Sequence, residues 1–226
     1  LRLKLKETLP PSGANEKRTL VGLLKSYPQS VKEGMCVWKR VPKSAFHLFL
    51  AVIIINGLVV SCQMYFVVYA IANLGISTAQ WALIVAFQYL TIAVPAILAG
   101  LSMDKIGRKR FLILGYLLYV PGMLLFIYGS FYMLLLAFFF FGLGNLLQLN
   151  SYQVLMGDFI PRALRGTATG CMQFFMYIMQ AGLQILVGFL YAYVAPQLPF
   201  LLLAATAIPL SIFVYFKIHE PTVKEI

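Results

Sequence analysis

The side chains that could do acid–base or ionic chemistry are few and fall in two groups. Between Ser44 and Phe216 the charged residues are Asp104, Lys105, Arg108, Lys109 and Arg110, then Asp158, Arg162 and Arg165. Neither group pairs carboxylates for general acid–base work, and neither joins His to Asp as a hydrolytic site would. Cys36, Cys62 and Cys171 stand far apart with no C-x-x-C spacing, so they point to no metal or redox centre. No catalytic residue, metal ligand or cofactor is expected, and the chain does not read as an enzyme. The remaining polar side chains are carboxamides and phenols set in apolar runs, whose chemistry is hydrogen bonding to a solute or a neighbouring helix.

The elements that must carry these residues follow from composition. Of 226 residues, 61% are hydrophobic and 11% charged. The mean hydropathy is +0.86. Soluble domains run at about 45–50% apolar and about 25% charged. A soluble domain, a disordered tail and a disulfide scaffold are excluded, and an integral membrane protein remains. The formal net charge of +11 would suggest nucleic acid in a soluble chain. In a membrane protein it is a topology signal, and no nucleic-acid partner is expected.

Ser44–Met103, Phe111–Gly157 and Gly166–Phe216 contain no Lys, Arg, Asp or Glu. A span needs about 20 apolar residues, so each block holds two. Each also breaks near its middle with uncharged turn residues: Asn73–Thr78, Gly129-Ser130 and Ala195–Pro199. The chain therefore reads as an all-α integral membrane protein of three helical hairpins. Six transmembrane helices are expected at approximately 45–72, 79–103, 111–128, 131–156, 167–193 and 199–217, within a bundle over 44–219. All the charge lies between hairpins or at the ends. By the positive-inside rule both termini and the charged loops are cytoplasmic, in a multi-pass protein of the cell membrane.

Residues 1–43 hold 10 of the 18 basic residues and form a basic cytoplasmic linker. Tyr27, Val31, Met35 and Trp38 recur on one helical face there, which suits a short helix lying on membrane lipids. The chain opens on Leu1 and 1–43 has no signal-peptide pattern, so a preceding segment is expected. Residues 220–226 are a cytoplasmic tail.

The stretch between the first two hairpins reads Gly100-Leu-Ser-Met-Asp104-Lys105-Ile-Gly107-Arg108-Lys109-Arg110. It resembles the G-x-x-x-D-[RK]-x-G-R-[RK] loop signature of the major facilitator superfamily, with every defining position present. Asp158-Phe-Ile-Pro161-Arg-Ala-Leu-Arg165-Gly166 resembles the acid-x6-Arg stretch that follows the fourth helix of each half in that superfamily. The resemblance runs from Ala45 to about Thr222. It implies one half of a twelve-helix fold, the carboxy-terminal one, whose partner is a missing amino-terminal six-helix half. It also gives the loop residues roles. Gly100 lets a helix approach closely. Asp104 can face helix N-termini. Gly107 permits a positive φ. Arg108 offers a planar fork to a carboxylate, and Asp158 is its expected partner at the cytoplasmic mouth. Lys105, Lys109, Arg165 and Gly166 complete this conformational gate.

The same resemblance places a small solute near the midplane between the halves, moved by alternating access. Polar residues of the spans are the candidates to touch it. They are Asn56, Gln63, Tyr65 and Tyr69 in the first helix and Gln88, Tyr89 and Thr91 in the second. The fourth helix offers Asn145, Gln148, Asn150 and Gln153, and the fifth offers Gln173, Tyr177, Gln180 and Gln184. Asn56, Gln63, Gln88, Asn145, Gln148 and Gln184 come first. Asn145 and Gln148 are three apart and share a face. The expected function is secondary active transport, with proton-coupled efflux of an amphipathic compound ahead of sugar or metabolite uptake. A homo-oligomeric six-helix channel or a structural membrane protein is the reading from another class. A purely structural role leaves the loop signature unexplained.

Overall fold

The structure, a computed structural model, describes residues 41–161 and 164–219. The surface helix expected around Tyr27–Trp38, Arg162 and the tail 220–226 lie outside the described residues, as does the side chain of Asp104. The described regular structure is helical. The elements are α1 (Lys43–Ala72), α2 (Thr78–Ile106), α3 (Arg108–Tyr128), α4 (Phe131–Phe159), α5 (Arg165–Phe189, extended by a π-helical turn Leu190–Val194) and α6 (Leu198–Lys217). All six are long and apolar enough to cross a membrane.

Local chemistry explains the ends. Ser77 opens α2 with a capping box: the Gln80 amide N–H donates to Ser77 Oγ at 3.2 Å, and the Ser77 N–H donates to Gln80 Oε1 at 3.0 Å. Gly75 turns the chain before it with φ 68°. Between α2 and α3 a single residue, Gly107, leaves the helix, with φ 103°. A side chain at that φ would clash with its own backbone, so glycine is what permits so short a turn. The stretch read from sequence as a loop is therefore two helix ends on a one-residue hinge. Most of its other residues (Leu101, Met103, Lys105, Arg108, Lys109 and Arg110) are good helix formers, and no proline interrupts them.

Packing ranks the helices. Of the most apolar window of α1, 67% is buried, against 11% for α2 and 6% for α5. So α1 is central, and α2 and α5 flank the bundle. The helix pairs in contact obey a simple rule. α1 packs on α5 as α4 packs on α2; α1 packs on α6 as α4 packs on α3; α3 and α6 pack on each other. Moving every label on by three leaves these five pairings unchanged. A three-helix unit followed by an inverted copy gives such a map, since α1 and α4 have two spans between them and so run oppositely.

The core is aromatic. Phe66 of α1 has ring centroids 4.9 Å from Phe126, 5.4 Å from Phe138, 5.2 Å from Phe141 and 5.6 Å from Phe200. These rings from α3, α4 and α6 meet mostly edge-on, an arrangement favourable by about 0.5–1.5 kcal/mol per pair. Tyr69 Oη donates to Ile127 O at 3.0 Å, satisfying a carbonyl in the last turn of α3. Buried Cys62 Sγ lies 3.4 Å from Pro199 O, joining α1 to the start of α6.

Candidate functional site

One end of the bundle carries the charge: Lys43, the α2–α3 hinge, Asp158, Arg165 and Lys217. Here α1, α3 and α5 begin and α2, α4 and α6 end. Helix starts present free N–H groups and partial positive charge; helix ends present free carbonyls and partial negative charge. Arg108 and Lys109 at the start of α3, and Asp158 in the last turn of α4, therefore have the wrong sign for their own helices. Each has the right sign for the neighbour.

The contacts follow that logic. Arg108 Nη1 donates to Asp158 Oδ2 in an ion pair between the start of α3 and the end of α4. The two side chains are only 15% and 20% exposed. Lys109 Nζ donates to Tyr215 O at 2.7 Å and stands 5.1 Å from the Tyr215 ring centroid, closing the end of α6. Arg165 Nε donates to Ile160 O at 3.1 Å and its Nη2 donates to Gly157 O, covering the last carbonyls of α4. Three cations on helix starts thus hold two neighbouring helix ends. Lys105 is exposed in the last turn of α2, where its charge suits that helix. Gly100 and Gly166 are exposed, with nothing within 4 Å of where a Cβ would stand, so no described residue makes the close approach expected at Gly100.

The polar residues of the spans divide. Asn56 is half-buried, and Gln180 Nε2 of α5 donates to its Oδ1 at 3.4 Å. Gln184 lies one turn further on α5, partly buried, and Gln63 is exposed on α1. Gln88 of α2 packs over Gly142 of α4; a Cβ on that glycine would lie 3.2 Å from Gln88 Cγ. Asn145 is partly buried. Gln148, one turn away, is 1% exposed and turned into the α3–α4 seam, where Tyr119 Oη donates to its Oε1. Its Nε2 and the nearby Tyr116 hydroxyl are buried with no partner among the described residues. The fold brings Asn56 to Gln180 and Gln88 to Gly142, and it sets Gln148 apart.

Tyr119 and Tyr215 carry no signal of these contacts in the sequence. Nothing in spacing marks a tyrosine 29 residues from its glutamine, or a backbone carbonyl 106 residues from its lysine. Among the described residues no three His, Cys, Asp or Glu side chains gather as a metal site requires.

What this arrangement can do is mechanical. It joins helix ends by charge at one face and leaves carboxamides half-open on α1, α2, α4 and α5. The family model of the Major Facilitator Superfamily matches residues 49–226. No curated protein matches the chain. Six spans in this packing fit one half of that superfamily's fold, whose members carry out membrane transport, and the chain belongs to the major facilitator superfamily.

Proposed function

We propose that this chain is the carboxy-terminal half of a secondary active transporter that exports an amphipathic compound in exchange for protons by alternating access. The observation that carries the reading is the Arg108–Asp158 pair. It ties the start of α3 to the end of α4 beside the one-residue hinge at Gly107, where helix ends can separate as units. In this reading the charged end faces the cytoplasm, with both termini on that side of the cell membrane. The pair is closed in one conformation and open in the other. The other six-helix half supplies the second wall of the path and the proton-binding group, because the spans from Ser44 to Phe216 hold Asp and Glu only at their charged ends. Asn56, Gln63, Gln88, Asn145 and Gln184 line this half's side of the path.

The test is a double-mutant cycle on Arg108→Ala and Asp158→Ala in the full-length transporter, read as the rate of solute movement in liposomes with and without a pH gradient. The expected outcome is non-additive loss and a rate that rises with an opposing proton gradient. Additive effects would remove the gate. A rate indifferent to pH would remove the coupling. Uptake of a sugar or similar metabolite is the second reading. It is favoured by the carboxamides Gln173, Gln180 and Gln184, which recur along one face of α5.

A further inference from the structure

The charged end leaves one cation of α3 unanswered. Arg108, Lys109 and Arg110 open that helix in succession, where positive charge opposes the partial positive charge of a helix start. Arg108 is answered by Asp158, and Lys109 by the Tyr215 carbonyl at the end of α6. Arg110 is exposed, and among the described residues it has neither a carboxylate nor a helix end as partner. Its surroundings are basic as well. The Lys109–Tyr215 contact sets the start of α3 beside the end of α6, where Lys217 follows two residues on. The His47 ring of α1 stands edge-on to Phe213 of α6 at 5.6 Å. Lys43, one turn before His47, is therefore level with Lys217, one turn after Phe213. Lys43, Arg110 and Lys217 are all exposed around the last turn of α6. Among the described residues this rim has no counter-charge, since Asp158 is committed to Arg108. Apolar surface runs away from the rim. Leu114 and Leu117 follow Arg110 by four and seven residues on one face of α3, and both are exposed. Ile208 and Ile212 precede exposed Tyr215 by seven and three residues on one face of α6, and both are exposed. The two helices pack on each other, so the stripes flank one seam.

We infer that the α3–α6 seam at the charged end binds an anionic phospholipid, its phosphate held by Arg110 and Lys217 and its acyl chains laid on the two apolar stripes. A guanidinium meets phosphate oxygens with a planar fork of donors, and the start of α3 adds its own positive field. Tyr215 suits the boundary, with its ring in the apolar layer and its hydroxyl among headgroups. The lengths agree. At a rise of about 1.5 Å per residue the far ends of the stripes, Leu117 and Ile208, lie roughly 10 Å below the rim. Half of a hydrocarbon core of about 30 Å gives an acyl chain roughly 15 Å. A soluble phosphate would use the rim alone, and the stripes are what favour a lipid. A choline headgroup brings its own cation to a positive rim, so a net negative headgroup binds better. The anions of the chain that could compete are Glu220 and Glu225 of the tail. The site is independent of what the protein transports and in which direction.

The experiment is native mass spectrometry of the purified full-length protein, titrated with dioleoylphosphatidylglycerol or with dioleoylphosphatidylcholine. The expected outcome is a preference of about fivefold or more for the anionic lipid. Arg110→Gln with Lys217→Gln should bring the two lipids level. If that protein does not elute as folded, Arg110→Gln alone is measured, and the preference should fall about twofold or more. Lys105→Gln removes an exposed cation of the same end on α2, which packs on α4, and should leave the preference unchanged. Dihexanoylphosphatidylglycerol, whose chains reach little of the stripes, should bind about tenfold more weakly than the long-chain lipid. Equal binding of the short-chain lipid, or displacement of the long-chain one by glycerol 3-phosphate, would make this a site for a soluble phosphate and overturn the proposal. An equal loss with Lys105→Gln would overturn it too, because charge at large and not this seam would then select the lipid. No preference in the unaltered protein would also overturn it, leaving Glu220 and Glu225 as the anions that hold the rim.

Discussion

The α3–α4 seam and the α1–α5 seam join helices of similar length in opposite ways. On α3–α4 the backbones touch. A Cβ on Gly115 would lie 2.9 Å from Gly144 O, and one on Gly144 would lie 2.8 Å from Gly115 O. Gly122 continues the contact toward the uncharged end, Tyr119 bonds buried Gln148, and Arg108 pairs with Asp158 at the charged end. On α1–α5 the helices meet through side chains. Leu183 reaches over Gly57, Phe49 stands edge-on to Phe175 at 6.4 Å, and Tyr65 lies over Tyr191 at 4.7 Å. Between lipid-embedded helices water expulsion gives little, so close packing and interhelical bonds set the strength of a seam. The first seam is therefore the rigid one. The second is the one that can yield, because side chains swing between rotamers and backbones in contact do not.

The sharpest way to break this contrast is to add the same side chain to each seam. Gly144→Leu should destabilise the protein by about 3 kcal/mol or more, since its Cβ meets backbone that cannot rotate away. Gly182→Leu on α5 should change stability by less than about 0.5 kcal/mol, as an open-surface substitution does. Thermal unfolding followed by size-exclusion chromatography distinguishes them, and equal losses would end the claim that the seams differ in rigidity. A smaller effect is expected at the polar contact. Tyr119→Phe leaves the Gln148 amide buried without its donor and should cost about 1 kcal/mol. Gln148→Met in that background should recover most of the loss, because both polar partners are then gone; no recovery would mean that Tyr119 acts by some route other than Gln148. The smallest change belongs to the yielding seam. Asn56→Ala should lower stability by about 0.6 kcal/mol or less, as interhelical bonds in membranes commonly do. A stability loss larger than that of Tyr119→Phe would reverse the ranking of the seams.

At the charged end the contacts differ in how much of them the sequence shows. Asp158 and Arg108 stand 50 residues apart, and their pairing was legible because each belongs to a recognisable motif. The Lys109 contact was not, because its acceptor is a backbone carbonyl, and every residue has one. The hinge was legible at Gly107 as a positive φ, but the surrounding helix was not. A run of charges reads as a loop unless one sees that its members are also good helix formers. The aromatic run Phe138–Phe141 divides in the fold: Phe138 and Phe141 are 3% and 0% exposed and enter the core, while Phe139 is 37% exposed.

By itself the sequence determined six spans, their grouping into hairpins and the family. The physical reason is that charge is too costly in a bilayer to be placed at random, so the charge-free blocks outline the membrane directly. Only the tertiary structure decided which polar residues are closed away. Asn145 and Gln148 share a helix face by spacing, yet Asn145 is partly open and Gln148 is buried against Tyr119. A spanning helix is apolar all round, so its pattern does not tell which side meets lipid and which meets a neighbour. That choice is made by glycine contacts between helices far apart in the chain, and it is visible only once the helices are packed.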